Sequence, residues 1–133
     1  MINKEIIKLA SNTLNVGLKN KYSHKISLKN STCGDKITLE LIADKKKISS
    51  MKYETVSCVY CEASASLVSR KIKNIKLKDV KNDFITLKQI SLKKNVKIPR
   101  RLSDFKKLLN SDNFNRYKCI FLPIDAVLKA LKL

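Results

Sequence analysis

The chain has 133 residues, a mass of 15.2 kDa and a formal net charge of +18. With 44% hydrophobic residues it is no disordered charged tail, and no apolar run approaches the ~18 residues of a membrane span. Its only glycines are Gly17 and Gly34, so neither a P-loop nor a dinucleotide fingerprint can be built.

In chain order, Ile2, Ile6, Ile7 and Leu9 recur among Lys and Glu at roughly helical spacing, which predicts a first helix over 2–10. This amphipathic opening has no apolar signal core, so a cytoplasmic location is expected. Asn15-Val16-Gly17 ends the helix or follows its end. Ile26 and Leu28 alternate with polar neighbours over 23–29, a strand. Cys33-Gly34-Asp35 is a turn. Ile37, Leu39 and Leu41 then alternate with Lys36, Thr38 and Glu40, the clearest strand in the chain. Asp44 to Lys47 forms a hairpin turn, and 48–56 is a third strand with Met51, Tyr53 and Thr55 on one face. Three strands with short links predict an antiparallel meander.

After Cys58 the pattern changes. Ala63-Ser64-Ala65-Ser66-Leu67-Val68 predicts a closely packed helix reaching about Lys73. Phe84, Leu87, Ile90 and Leu92 predict a helix within the Lys-rich stretch 74–98, and Pro99 interrupts. Leu102, Phe105, Leu108 and Leu109 suit a short helix. Residues 119–131 close the chain as a helix with Pro123 in its first turn, where the missing amide has no intrahelical partner. Strands first and helices later give an α+β plan: a three-stranded antiparallel sheet covered by helices, in one domain over 1–133.

The charge has two readings. One is a surface for nucleic acid or an acidic partner. The other is compositional bias, since 25 of the 29 basic residues are lysine. Nucleic-acid readers favour arginine for bidentate contacts, and single-strand binders interleave basic and aromatic residues. The chain does neither, so the compositional reading is preferred.

Four cysteines stand at 33, 58, 61 and 119. Without an export signal a reducing compartment is expected, where such cysteines read as metal-binding or catalytic rather than as disulfides. Cys33 and Asp35 flank Gly34 in a turn, Cys58 lies between a strand end and a helix start, and Cys119 opens the last helix. Thiolates at such places are stabilised by free backbone amides and can ligate Zn²⁺. Each also has a plainer role: Cys33 and Cys119 as small buried hydrophobes, Asp35 as a turn residue, Cys58-x-x-Cys61 as half a zinc ribbon or a redox pair. His24, the single histidine, reads as a solvated strand residue. No nucleophile–base pair supports hydrolytic catalysis.

Three cysteine-centred stretches carry a resemblance. Asn30-Ser31-Thr32-Cys33-Gly34-Asp35 resembles the N-P-x-C-G-D motif of the U-type, NifU-like iron–sulfur assembly proteins. Cys58 with Ala63-Ser64-Ala65-Ser66 is similar to the second motif of that family, and Arg116-Tyr117-Lys118-Cys119 to its third. Asn15-Val16-Gly17 resembles the end of its first helix. Lys118 stands where the scaffold branch has histidine. Cys119 follows Cys58 by 61 positions, similar to the SufU-type branch with its extra insertion, here in 74–98. Ser31, Ser57 and Ile124 depart from the family's usual Pro, Gly and Trp.

The resemblance implies a zinc protein that accepts persulfide sulfur from a cysteine desulfurase of the SufS/NifS kind and hands it to downstream cluster-assembly proteins. Such a protein is a zinc-dependent sulfurtransferase acting with its desulfurase, with no membrane. It implies Zn²⁺ on Cys33, Asp35, Cys58 and Cys119. A desulfurase histidine displaces one thiolate, which attacks the persulfide. Cys33 is the implied sulfur acceptor, Arg116 attends the site, and Cys61 is a non-ligand. Two alternatives stand beside this reading: a scaffold for a [2Fe–2S] cluster on the same ligands, and a basic nucleic-acid-binding module with structural zinc.

Overall fold

The computed structural model describes residues 4–92 and 96–133. Ile2 of the predicted first helix and residues 93–95 of the Lys-rich stretch lie outside the described residues. The sheet is a meander of β1 (His24–Lys29), β2 (Lys36–Ala43) and β3 (Ile48–Val56), antiparallel throughout and in the order β1-β2-β3. Alternation decides its faces. Ile26, Leu39 and Tyr53 align across the strands, as do Leu41 and Met51, so one face is largely apolar, with His24 at its edge. Asp44 closes the β2–β3 hairpin by accepting the Lys46 and Lys47 amides on Oδ1.

The predicted α+β class is what the structure has. Helix α1 (Lys4–Ala10) packs on α2 (Val59–Lys71), and α2 packs on β3 and on α4 (Tyr117–Ala130). The small residues of α2 explain the close approach: Ala63, Ser64 and Ala65 are fully buried, and Ser64 Oγ donates to the Ile120 carbonyl of α4. Helix α3 (Leu77–Lys88) contributes Val80, Phe84 and Leu87 to the core.

Several local expectations change. The Asn15–Gly17 segment does more than break a helix. Val16 makes a parallel bridge to Tyr53 that extends the sheet, with Gly17 at φ 109°. Leu92 is 82% exposed rather than core. Residues 100–107 form 3₁₀ turns kinked at Leu102, in place of a regular helix. The last helix begins at Tyr117, so Cys119 is its third residue and Pro123 lies beyond the first turn. Proline there leaves the Cys119 carbonyl without its i+4 amide partner. Among the described residues no helix is long and apolar enough to cross a membrane.

Glu40 departs most from its expected place. It alternates with the apolar residues of β2 and so should face water, yet it is 1% exposed. Its Oε1 accepts the backbone amides of Lys19 and Asn20 at 2.8 and 3.1 Å, and Lys25 Nζ stands 3.4 Å from Oε2. The 17–20 segment, with Asn20 at φ 58°, folds over the outer face of the sheet and buries the carboxylate.

Candidate metal centre

The turn between β1 and β2 is locked by its own backbone. The Asn30 amide donates to the Asp35 carbonyl at 2.7 Å, the Gly34 amide to the Asn30 carbonyl at 2.8 Å, and the Thr32 amide to Asn30 Oδ1 at 3.0 Å. Gly34 adopts φ 78°, a left-handed conformation that a side chain would strain although nothing would obstruct its Cβ. This turn holds Cys33 exposed and Asp35 buried, two residues apart.

Cys58 is the N-cap residue of α2, and its side chain makes no cap hydrogen bond. It turns instead to Asp35: the Cys58 amide donates to Oδ1 at 3.0 Å and its thiol to Oδ2 at 3.4 Å. Cys119, 3% exposed, enters from the first turn of α4, and its thiol lies 3.5 Å from Cys33 Sγ. Ligand atoms of Cys33, Asp35 and Cys119 all lie within 4.8 Å of one another. Cys58 stands outside that mutual grouping and joins it through Asp35. Tetrahedral zinc with Zn–S of about 2.3 Å sets its sulfurs about 3.8 Å apart. The Cys33–Cys119 and Cys58–Asp35 separations are close to that edge, and the Cys33–Asp35–Cys119 group is compact enough to hold a metal ion.

Electrostatics separates the groups. Burial raises the Asp35 carboxyl, but hydrogen bonds from the Cys119 and Cys33 thiols, the Cys58 amide and the Cys58 thiol outweigh it and hold it below its ordinary value. Burial pushes the Cys119 thiol well up, and contact with Cys33, Asp35 and Cys58 adds to the rise. The helix-start position of Cys119 therefore does not by itself ionise it. The Asp35 shift makes a pH prediction. A depressed carboxyl contributes stability that is complete above the ordinary value of 3.8 and disappears as pH falls through the lower folded value. In metal-free protein the urea midpoint should fall over that acid range, and Asp35→Asn should flatten the fall. An equal fall in both proteins would locate it elsewhere.

The remaining candidates share no hydrogen bond with these donors among the described residues. Arg116 is exposed and makes none of the hydrogen bonds of the site; its guanidinium carbon sits 5.6 Å from the ring centroid of Tyr60. No sequence signal pointed to Tyr60. His24 bonds Ser23 Oγ on β1. Cys61 is fully buried one turn beyond Cys58, and desolvation above all pushes its thiol up to about 12. A thiol held so firmly protonated packs as a small apolar group. Cys61→Ser should keep zinc at the wild-type level by elemental analysis. Loss of zinc in that variant, with Asp35→Ala unaffected, would indicate a four-cysteine cage. A cavity of about 490 Å³ beside β3, lined by Lys36, Tyr53, Val56 and Glu62 among others, includes none of the four donors.

Residues 1–112 match the family model of the NifU-like N-terminal domain. The chain belongs to that family. Cys119 and Arg116 lie beyond the matched residues. Two solved structures are similar over nearly the whole chain. One is the N-terminal part of a nitrogen-fixing NifU-like protein from Brucella abortus, with TM-score 0.85, 22% identity, and coverage of 98% of this chain and 91% of that one. The other is a putative iron–sulfur cluster assembly scaffold protein for the SUF system from the thermophile Fervidobacterium islandicum AW-1, with TM-score 0.84, 20% identity, and coverage of 98% and 96%. At these identities the likeness establishes the shared fold. No curated protein matches the sequence.

Proposed function

We propose that this chain, as one domain over 1–133, serves iron–sulfur cluster assembly by accepting sulfur from a cysteine desulfurase at a zinc site. The observation that carries the reading is the meeting of Cys33, Asp35 and Cys119 within 4.8 Å, with Cys58 bonded to the same carboxylate, in a member of this family. Cys33, Asp35, Cys58 and Cys119 would hold Zn²⁺, which when bound favours deprotonated thiols.

The acceptor is Cys33. It is the exposed thiol of the set, on a turn joined to Asp35 through the left-handed Gly34, whereas Cys119 is buried in α4 and Cys58 is fixed at the head of α2. Its thiolate attacks the outer sulfur of the donor's persulfide. The donor's S–S bond breaks, the donor cysteine leaves as a thiolate, and Cys33 carries the new persulfide. The Cys58 amide donates to Asp35 Oδ1, a backbone contact that does not need the thiol proton and ties the head of α2 to the turn. The test is incubation with a cysteine desulfurase and cysteine, alkylation, and mapping of persulfides by mass spectrometry. The label should fall on Cys33. A persulfide mainly on Cys119 or Cys61 would overturn that assignment.

A second reading keeps the donors and changes the cargo: a [2Fe–2S] cluster built on the same thiolates and Asp35. The scaffold named among the similar structures favours it. Anaerobic reconstitution with iron and sulfide separates the two, because a stable visible-absorbing cluster belongs to the scaffold alone.

A further inference from the structure

A shallow groove of about 310 Å³ runs beside the candidate metal centre, between the end of β1 and the outer face of α4. Its floor is apolar, made of Leu28, Phe121 and Leu122, and Lys29, Lys88, Lys118 and Lys129 line it. Asp125 is its single acid and is already engaged by Lys88. No ion pair among the described residues uses Lys29, Lys118 or Lys129. Asn30 and Ser31, which open the turn carrying Cys33, form one wall, and Lys118 immediately precedes Cys119.

We infer that this groove docks a short acidic segment of a partner protein, its carboxylates on Lys29, Lys118 and Lys129 and an aliphatic side chain on the Leu28–Phe121–Leu122 floor. Lysines scattered over a surface are a by-product of this chain's composition. Three uncompensated ones around one apolar concavity form a charged rim on a hydrophobic floor, an arrangement that suits an amphipathic acidic peptide. The positive potential would also hasten encounter. Nucleic acid fits less well: no arginine lines the groove to fork onto phosphate. Docking here brings a partner beside Cys33 and Cys119. The inference goes beyond the proposed function and holds whichever metal or cluster the four donors carry.

The test uses the full chain and a short fluorescent peptide of alternating glutamate and leucine, followed by anisotropy at two salt concentrations. Lys29→Glu with Lys129→Glu should weaken binding by about tenfold or more. Lys45→Glu with Lys46→Glu, in the β2–β3 hairpin, lowers the net charge equally, from +18 to +14, and should change it by no more than about twofold. Zinc content and thermal unfolding check that both variants fold, and Lys29→Gln with Lys129→Gln replaces the first pair if it does not. Equal losses in the two pairs would reduce the effect to overall charge and overturn the inference, as would no loss in the groove pair. A thymidine oligonucleotide of matching charge that binds more tightly, and depends on the same lysines, would assign the groove to nucleic acid instead. Zinc retained alongside lost peptide binding separates failure of the groove from failure of the metal site.

Discussion

Alanine at Cys33, Cys58 or Cys119 is expected to lower bound zinc from about one ion per chain to roughly a tenth or less, measured by elemental analysis of protein purified without added metal. The expectation rests on the economy of the site. A closed zinc site takes four donors, and the proposed set is three thiols and one carboxylate. Cys33 and Cys119 approach to 3.5 Å, and Cys58 reaches Asp35 at 3.4 Å. Removing any thiol leaves three donors and an open position for water, as in a catalytic rather than a closed structural site. The three variants should differ in one further respect. Cys33 is exposed, so its loss should leave the fold untouched, while Cys119→Ala opens a small gap in the packing of α4 and should also lower stability. Full zinc occupancy in all three would reject the site.

Glu40→Ala is expected to destabilise the protein by about 3 kcal/mol, with most of the loss restored in Glu40→Gln. The carboxylate lies under the 17–20 segment, accepts two backbone amides on one oxygen and has Lys25 beside the other. Alanine removes both acceptors and leaves the Lys19 and Asn20 amides to find water while the segment loosens. Glutamine keeps an acceptor for the amides and gives up the charge opposite Lys25, itself one-third exposed and able to hydrate. Urea unfolding of the three proteins measures the difference. Similar stabilities for alanine and wild type would show that the 17–20 segment folds without its anchor.

The meander was legible because its strands alternate cleanly and each junction carries a recognisable turn: Cys33-Gly34-Asp35 before β2, and Asp44 to Lys47 before β3. Helix α2 was legible from its Ala-Ser repeat, which suits close packing. The boundaries of the later helices were not. Apolar periodicity in 100–109 looks helical, yet the kink at Leu102 holds that stretch in 3₁₀ turns. Leu92 continues the pattern of α3 but falls past its end into solvent. The four candidate donors could be named from the three cysteine-centred stretches. Their spacing along the chain says nothing about distances in space.

Alternating hydrophobicity, turn residues and cysteine-centred motifs are local, so the sequence by itself determined the α+β plan, the strand order and the candidate ligands. Tertiary structure decided what depends on residues far apart in the chain. It brought Cys119 against Cys33 across 86 positions, set Cys58 on Asp35 rather than on its own helix, and buried Cys61 out of reach of ionisation. It also enclosed Glu40, whose place in an alternating strand predicts exposure, because a loop 20 residues away in sequence folds over it. In each case the energy comes from desolvation and directional hydrogen bonds that exist only once separate elements pack together, and no local pattern in the chain encodes them.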